Sequence, residues 1–264
     1  MGLFDVTSSA LEVAIKGTEQ RQSLLANNLA NVNTTGFKRS RAQFQDLLYQ
    51  TMQGPSVLGN PDAENAGAIQ VGRGTHLAGV LRENTQGTVE QTGRPLDVAL
   101  EGDGFFQVQL PNGNTAYTRD GGFQISDQGT LTTNGGNPIV PGIRIPPDAT
   151  DVAISKTGVV SYTRATKDTV ELGRIELARF ANPSGLFAQG ENLFTETPAS
   201  GQPVNGYPAD EGMGTLMQGS LEGSNVEVVQ EMVDMISAQR AYELNSKAVK
   251  ATDEMSQVAN QIVN

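Results

Sequence analysis

The sequence predicts an α+β fold in which N- and C-terminal helices form a coiled-coil-like pair. An antiparallel β domain, a sandwich or irregular barrel, is inserted between them. Three observations predict it. From Ser224 to Asn264 there is no Gly and no Pro; all 12 prolines fall between Pro55 and Pro208; and apolar residues recur at helical spacing at both ends but alternate in the middle. A helix with one apolar stripe and no local core needs a partner to bury it, so the two ends are read together.

The C-terminal helix is predicted to open at Ser224-Asn225-Val226-Glu227, where the Ser224 hydroxyl can accept a backbone N–H and Glu227 can reach back, a reciprocal capping box. Its stripe runs through Val229, Val233 and Ile236, then past Arg240 to Leu244, Ala248, Ala251, Met255, Val258 and Ile262. Nine steps over 33 residues make about 3.67 residues per step, the spacing of straight rather than strongly supercoiled helices. At the other end Ser9-Ala10-Leu11-Glu12 repeats the capping spacing. Leu11, Ile15, Leu25, Leu29 and Val32 share a face there, interrupted by Thr18 and Gln22. Gly36, after Asn33-Thr34-Thr35, is placed to take the left-handed conformation that ends a helix.

Next along the chain, Lys38, Arg39 and Arg41 read as a solvated charged turn. Gln50 to Gly74 carries Gly54-Pro55 and Asn60-Pro61 and reads as extended with little regular structure. From about His76 to Gly223 the pattern is β. Phe106, Val108 and Leu110 alternate with polar residues, and Pro111-Asn112-Gly113-Asn114 turns the chain into Thr115 to Arg119. Asp120-Gly121, Asp127-Gln128-Gly129 and Asn134-Gly135-Gly136-Asn137 punctuate further short strands. Val170 and Leu172 sit in one phase and Ile175 and Leu177 in the other, with Gly173 at the change, which predicts a β-bulge.

Composition excludes several classes. A chain of 264 residues can bury a sizeable core, yet 37% hydrophobic content and 30 Gly make it turn-rich and lightly packed. Its net charge of −11 opposes a nucleic-acid partner, whose phosphates would repel it. No run of about 18 apolar residues is present to span a bilayer. The start lacks a basic stretch followed by an apolar core, so no cleavable secretory signal is expected, and Val6 at the sixth position spoils a myristoylation match. With 0 Cys there is no disulfide frame, thiolate metal site or cysteine nucleophile.

Catalytic patterns are equally sparse. His76, the 1 histidine, reads as a turn residue with no nucleophile near it. Gly72-Arg73-Gly74 lacks the third glycine of a dinucleotide fingerprint, and Ser220 in Gly219-Ser220-Leu221-Glu222-Gly223 stands one place too early for a nucleophile elbow. Glu101-Gly102-Asp103-Gly104 lacks the alternating oxygen ligands of a calcium loop and reads as a turn between Leu100 and Phe105. The expectation is no catalytic residue, no metal and no cofactor. A secreted carboxylate-dependent enzyme with helical arms, using Asp97, Glu101 and Asp103, stands as the remote alternative.

Three stretches carry a more specific signal. Leu25-Ala26-Asn27-Asn28-Leu29-Ala30-Asn31-Val32-Asn33-Thr34-Thr35-Gly36-Phe37-Lys38 resembles the N-terminal signature of the bacterial flagellar basal-body rod and hook proteins. Ser224-Asn225-Val226, Glu231-Met232-Val233 and Gln239 to Ala248 resemble their C-terminal signature, while Leu96 to Val108 and Tyr117-Thr118-Arg119-Asp120-Gly121 look like their central strand motif. Within the family, the length and the segment Phe44 to Gln50, with the Gly/Pro-punctuated stretch after it, are most similar to distal rod members. Met1-Gly2-Leu3-Phe4-Asp5 looks more like the start of short proximal rod members.

The resemblance implies a structural subunit and not an enzyme, with the flagellar hook or proximal rod as the nearer alternatives. It assigns 1–37 and 224–264 to a terminal helical assembly domain, 38–75 to an extended connector and 76–223 to a β-rich domain. A head-to-tail contact that does not close on itself generates an open helical filament, and the expected interface is the two helical stripes offered to neighbouring copies. On this reading the stripes order only on assembly, and the filament is a rigid tube that transmits motor torque to the hook. The implied partners are further copies of the chain, other rod proteins, the hook protein, the rings around the rod and the type III export apparatus. The implied location is the flagellar basal body outside the cytoplasmic membrane, periplasmic in a Gram-negative cell. In distal rod members the segment matching Gln50 to Gly74 is implied to pack against neighbours and stiffen the tube.

Overall fold

The computed structural model describes residues 3–53, 69–164 and 167–263. The chain divides into two compact units, one comprising Met1–Leu29, Ser40–Leu81 and Val228–Asn264, the other Ala30–Arg39 and Arg82–Glu227.

The first unit holds both long helices, α1 (Leu3–Ala30) and α2 (Val228–Val263). Ala, Leu, Glu and Gln dominate α1, all strong helix formers. It stops at Ala30 because Asn31, Asn33 and Thr34 compete for backbone hydrogen bonds; the Thr34 N–H donates to Asn31 O at 3.2 Å in the turn that follows. The one glycine inside α1 marks a close approach: a Cβ on Gly17 would lie 3.3 Å from the Phe44 ring. The α2 start differs from expectation. Ser224 Oγ accepts from the Val226 N–H two residues on, at 3.3 Å, so Ser224 to Glu227 forms a turn ahead of a helix that begins at Val228.

Between Gln50 and Gly74, expected to be extended with little regular structure, the described residues form two short strands, Gln50–Gln53 and Ile69–Val71, and an irregular end at 72–74. Ser40–Asp46 pairs with Thr75–Arg82, and Gln50–Gln53 pairs antiparallel with Ile69–Val71. Residues 54–68, including Gly54-Pro55 and Asn60-Pro61, lie outside the described residues. His76 sits on the Thr75–Arg82 strand, exposed, and not in a turn.

The second unit is β-rich. Its main sheet has six strands in the order Phe187–Gly190, Leu193–Thr195, Thr115–Thr118, Phe105–Gln109, Leu177–Arg179, Val204–Gly206, with antiparallel neighbours throughout. The Phe105–Gln109 strand turns back onto Thr115–Thr118 as the sequence predicts, with Phe106 facing Thr118 and Val108 facing Ala116. Alternation puts its side chains on two faces, and both faces are covered. Phe106 and Val108 join Val98, Leu100, Phe123, Ile175 and Leu177 in the larger core, whereas Phe105 packs edge-to-face on Phe180 and Phe194 in a smaller one. A three-stranded sheet runs Ala149–Ile154, Val159–Arg164, Thr169–Arg174. There Val160 faces Gly173 and Ser161 faces Glu171, which leaves Leu172 as the extra residue of the bulge expected at that phase change. Short two-stranded ladders complete the unit, among them Val98–Glu101 with Thr215–Gln218 and Val89–Gln91 with Ser220–Glu222.

Candidate assembly surface

The α2 helix carries two different faces. Along one, Glu231 and Ala238 are buried, and Met235, Tyr242, Asn245, Val249 and Thr252 are half-buried. This face mixes Met235, Tyr242 and Val249 with small and polar residues, and polar groups join it to α1: Arg21 Nη2 lies 3.3 Å from Asp234 Oδ1, and Asn28 Nδ2 donates to Glu231 Oε2 at 3.1 Å. The predicted stripe is elsewhere. Val229, Val233, Ile236, Leu244, Met255 and Val258 are between 48% and 77% exposed. At 100° per residue the two faces stand roughly 150° apart around the helix. Ala248 is half-buried at the stripe's edge and Ala251 is exposed; the Ile262 side chain lies outside the described ones.

On α1 the stripe is sheltered. Leu25 is buried and Leu11, Ile15 and Leu29 are half-buried, while Gly17 and Asn28 lie about 100° or more around the helix from the middle of that stripe. Val32 lies beyond α1, half-buried in the β-rich unit. Arg21–Asp234 and Asn28–Glu231 thus join the helices within one chain, while the stripe of Val229, Val233, Ile236, Leu244, Met255 and Val258 stays exposed.

The signature residues turn out to be polar joints. Asn28 is wholly buried, accepting from the Ser40 N–H at 3.0 Å and donating to Ser40 O at 2.9 Å. In the second unit Thr35 Oγ1 donates to Asp120 Oδ1 at 2.8 Å, Asn192 Nδ2 donates to Thr35 O at 2.9 Å, and the Gly36 N–H donates to Glu222 O at 2.8 Å. Lys38 is not solvated as expected. It is 2% exposed, with Nζ 2.6 Å from Glu222 Oε1, while Arg119 Nη1 lies 3.4 Å from Glu222 Oε2 and the Gly87 N–H donates to Oε1 at 3.0 Å. Burial pushes the Lys38 ammonium below its ordinary value, and the Glu222 carboxylate beside it pulls part of the way back. Burial likewise lowers Arg119, against the pull of Glu222 and Asp103. Arg39 is half-buried; its side chain pairs with Glu83 at 3.3 Å and its N–H donates to Asn225 Oδ1 at 2.7 Å. Sequence reasoning missed Glu222 and Asn225 as partners because they stand more than 180 residues from Lys38 and Arg39. The one available signal was Glu222 beside glycine in an otherwise apolar-polar strand.

Of the carboxylates named for a catalytic alternative, Asp97 lies apart from the other two. Asp97 is buried under Thr92, whose hydroxyl donates to it at 2.6 Å, while Glu101 and Asp103 are exposed on the turn at Gly102. Among the described residues no group of acidic or histidine side chains is placed to hold a metal ion. A concavity of about 690 Å³ is lined by Leu96, Ile125, Ile145, Pro146 and Val152, with Asp127 and Asp151 as its titratable groups. No helix among the described residues is long and apolar enough to cross a membrane.

Three family models match the chain in order: "Flagella basal body rod protein" over residues 10–38, "Flagellar hook protein FlgE/F/G D1 domain" over 99–162 and "Flagellar basal body rod FlgEFG protein C-terminal" over 217–262. That order of helix, β domain and helix is the one that the flagellar rod and hook class of structural proteins carries. A flagellar basal-body rod protein FlgG of Borreliella burgdorferi is 47% identical over 96% of this chain and 98% of its own length. The proteins of the same name from Buchnera aphidicola subsp. Schizaphis graminum and Bacillus subtilis are 46% and 38% identical, over 91% and 92% of this chain and 93% of each relative. The chain belongs to the flagellar basal-body rod protein family.

Proposed function

We propose that the chain is a distal rod subunit that polymerises, by the outward stripe of α2 and the helical pair around it, into a rigid tube carrying motor torque to the hook. One observation carries this reading: Val229, Val233, Ile236, Leu244, Met255 and Val258 form an exposed apolar stripe along α2. A continuous apolar face of this length on a soluble helix marks an interaction surface. A second copy is the occupant, because one stripe repeated on every subunit supplies a head-to-tail contact that grows without closing. Relatives named FlgG, 38% to 47% identical, support rod over hook, and a relative named FlgF is 36% identical.

Other rod proteins and the hook protein would meet the two ends of this tube, and the surrounding rings its β-rich exterior. Export through the flagellar type III apparatus would place the subunit outside the cytoplasmic membrane, in the periplasm of a Gram-negative cell. Electron microscopy of the purified chain after prolonged incubation tests the proposal. Straight tubes of rod diameter are expected; a preparation that stays monomeric at high concentration would overturn it.

A further inference from the structure

The α2 helix carries apolar side chains on both its sheltered and its outward face, so apolar burial alone does not set its rotation. Rolling α2 about its axis would trade Met235, Tyr242 and Val249 on the sheltered face for Val233, Ile236 and Leu244, an exchange of similar apolar surface. What opposes the roll is a polar contact. Asn28 and Glu231 are both 0% exposed, and the Asn28 amide has its oxygen committed to the Ser40 N–H and its nitrogen shared between Ser40 O and Glu231 Oε2. A rolled helix would present valine or isoleucine to the Asn28 amide and carry the Glu231 carboxylate away from it, and a buried amide that loses a hydrogen-bond partner is heavily penalised.

We propose that the Asn28–Glu231 contact is an orientation key that holds the α2 stripe outward, keeping it from being consumed inside its own chain. Buried polar pairs are known to fix helix register at some expense in stability. Here the same device fixes which face of α2 points away. The key joins three chain segments, the end of α1, the strand starting at Ser40 and the first turns of α2. The inference rests on the reading of the stripe as the assembly face, and it concerns how the monomer keeps that face available.

The chain's lack of cysteine makes a direct test practical. Ile236→Cys introduces the sole thiol, and its reaction rate with a maleimide fluorophore is read on freshly purified full-length monomer. In the background Asn28→Leu/Glu231→Leu, α2 is expected to roll and the labelling to slow by about tenfold, with helical circular dichroism retained. In the background Glu231→Gln, which still accepts from Asn28, labelling is expected at the parental rate. Unchanged labelling in the helical double variant would overturn the key, and so would slowed labelling in Glu231→Gln, whatever the double variant does. Labelling of the monomer does not depend on filament formation. A parent chain that never polymerises would therefore refute the assembly reading and leave the key to stand or fall on these rates.

Discussion

Lys38 Nζ lies 2.6 Å from Glu222 Oε1 with both side chains buried, so a residue just after the N-terminal signature turn is tied to one near the end of the β-rich unit. The β-rich unit is therefore closed by its own first and last segments, and the N-terminal turn from Ala30 to Arg39 belongs to it. Removing one partner of a buried ion pair leaves an uncompensated charge.

Lys38→Met should lower the unfolding free energy of the chain by about 3 kcal/mol, near the bottom of the range for broken buried pairs because Arg119 still faces Glu222. Urea unfolding followed by circular dichroism measures it. A change below about 0.5 kcal/mol would show that the pair contributes nothing net.

Gly36→Ala should be nearly as damaging for a different reason. Gly36 has φ +66°, and an added Cβ would lie 2.7 Å from Asp120 N, inside any real contact distance, against backbone that has no freedom to move. Left-handed strain together with overpacking costs about 2–4 kcal/mol. The same unfolding experiment reads it, and a variant as stable as the parent would mean that the turn can refold elsewhere.

Ile236→Asp and Leu244→Asp should abolish filament formation while changing monomer stability by less than about 0.5 kcal/mol. On an exposed helix face the carboxylate stays in water; in a packed seam between copies it has no partner. Sedimentation and thermal melting of the same samples separate the two effects. A clear loss of monomer stability would place the stripe inside its own chain.

Deleting residues 54–68 and joining the Gln50–Gln53 and Ile69–Val71 strands by a short turn keeps the ladder and both helices. Filaments should still form but bend more, because sliding between subunits on opposite sides of a tube is what a strap between neighbours resists. Persistence length from micrographs decides it, and equal stiffness would make the segment a passive linker.

The helices, the β insertion, the Phe105–Gln109 hairpin and the bulge at Leu172 were legible because each is written in local periodicity and turn chemistry. The start of α2 and the burial of Lys38 were not. Ser224 spends its hydroxyl on a local turn, and Lys38 is buried only because Glu222, Arg119 and Gly87 converge on it from distant parts of the chain. The strands within Gln50 to Gly74 were hidden for a related reason: glycine and proline at the centre of the segment masked short pairing runs at its ends. The α2 stripe was read correctly as apolar. Periodicity could not say that its own chain would use the opposite face.

Thiol reactivity at Leu244→Cys, compared between monomer and pelleted filament, tests the central claim most directly. Leu244 is 66% exposed in the single chain, so the monomer should label fast. Burial in a seam between copies should slow labelling in the filament by about a hundredfold. Equal rates in the two states would contradict the account, because filaments would then form without using the α2 stripe.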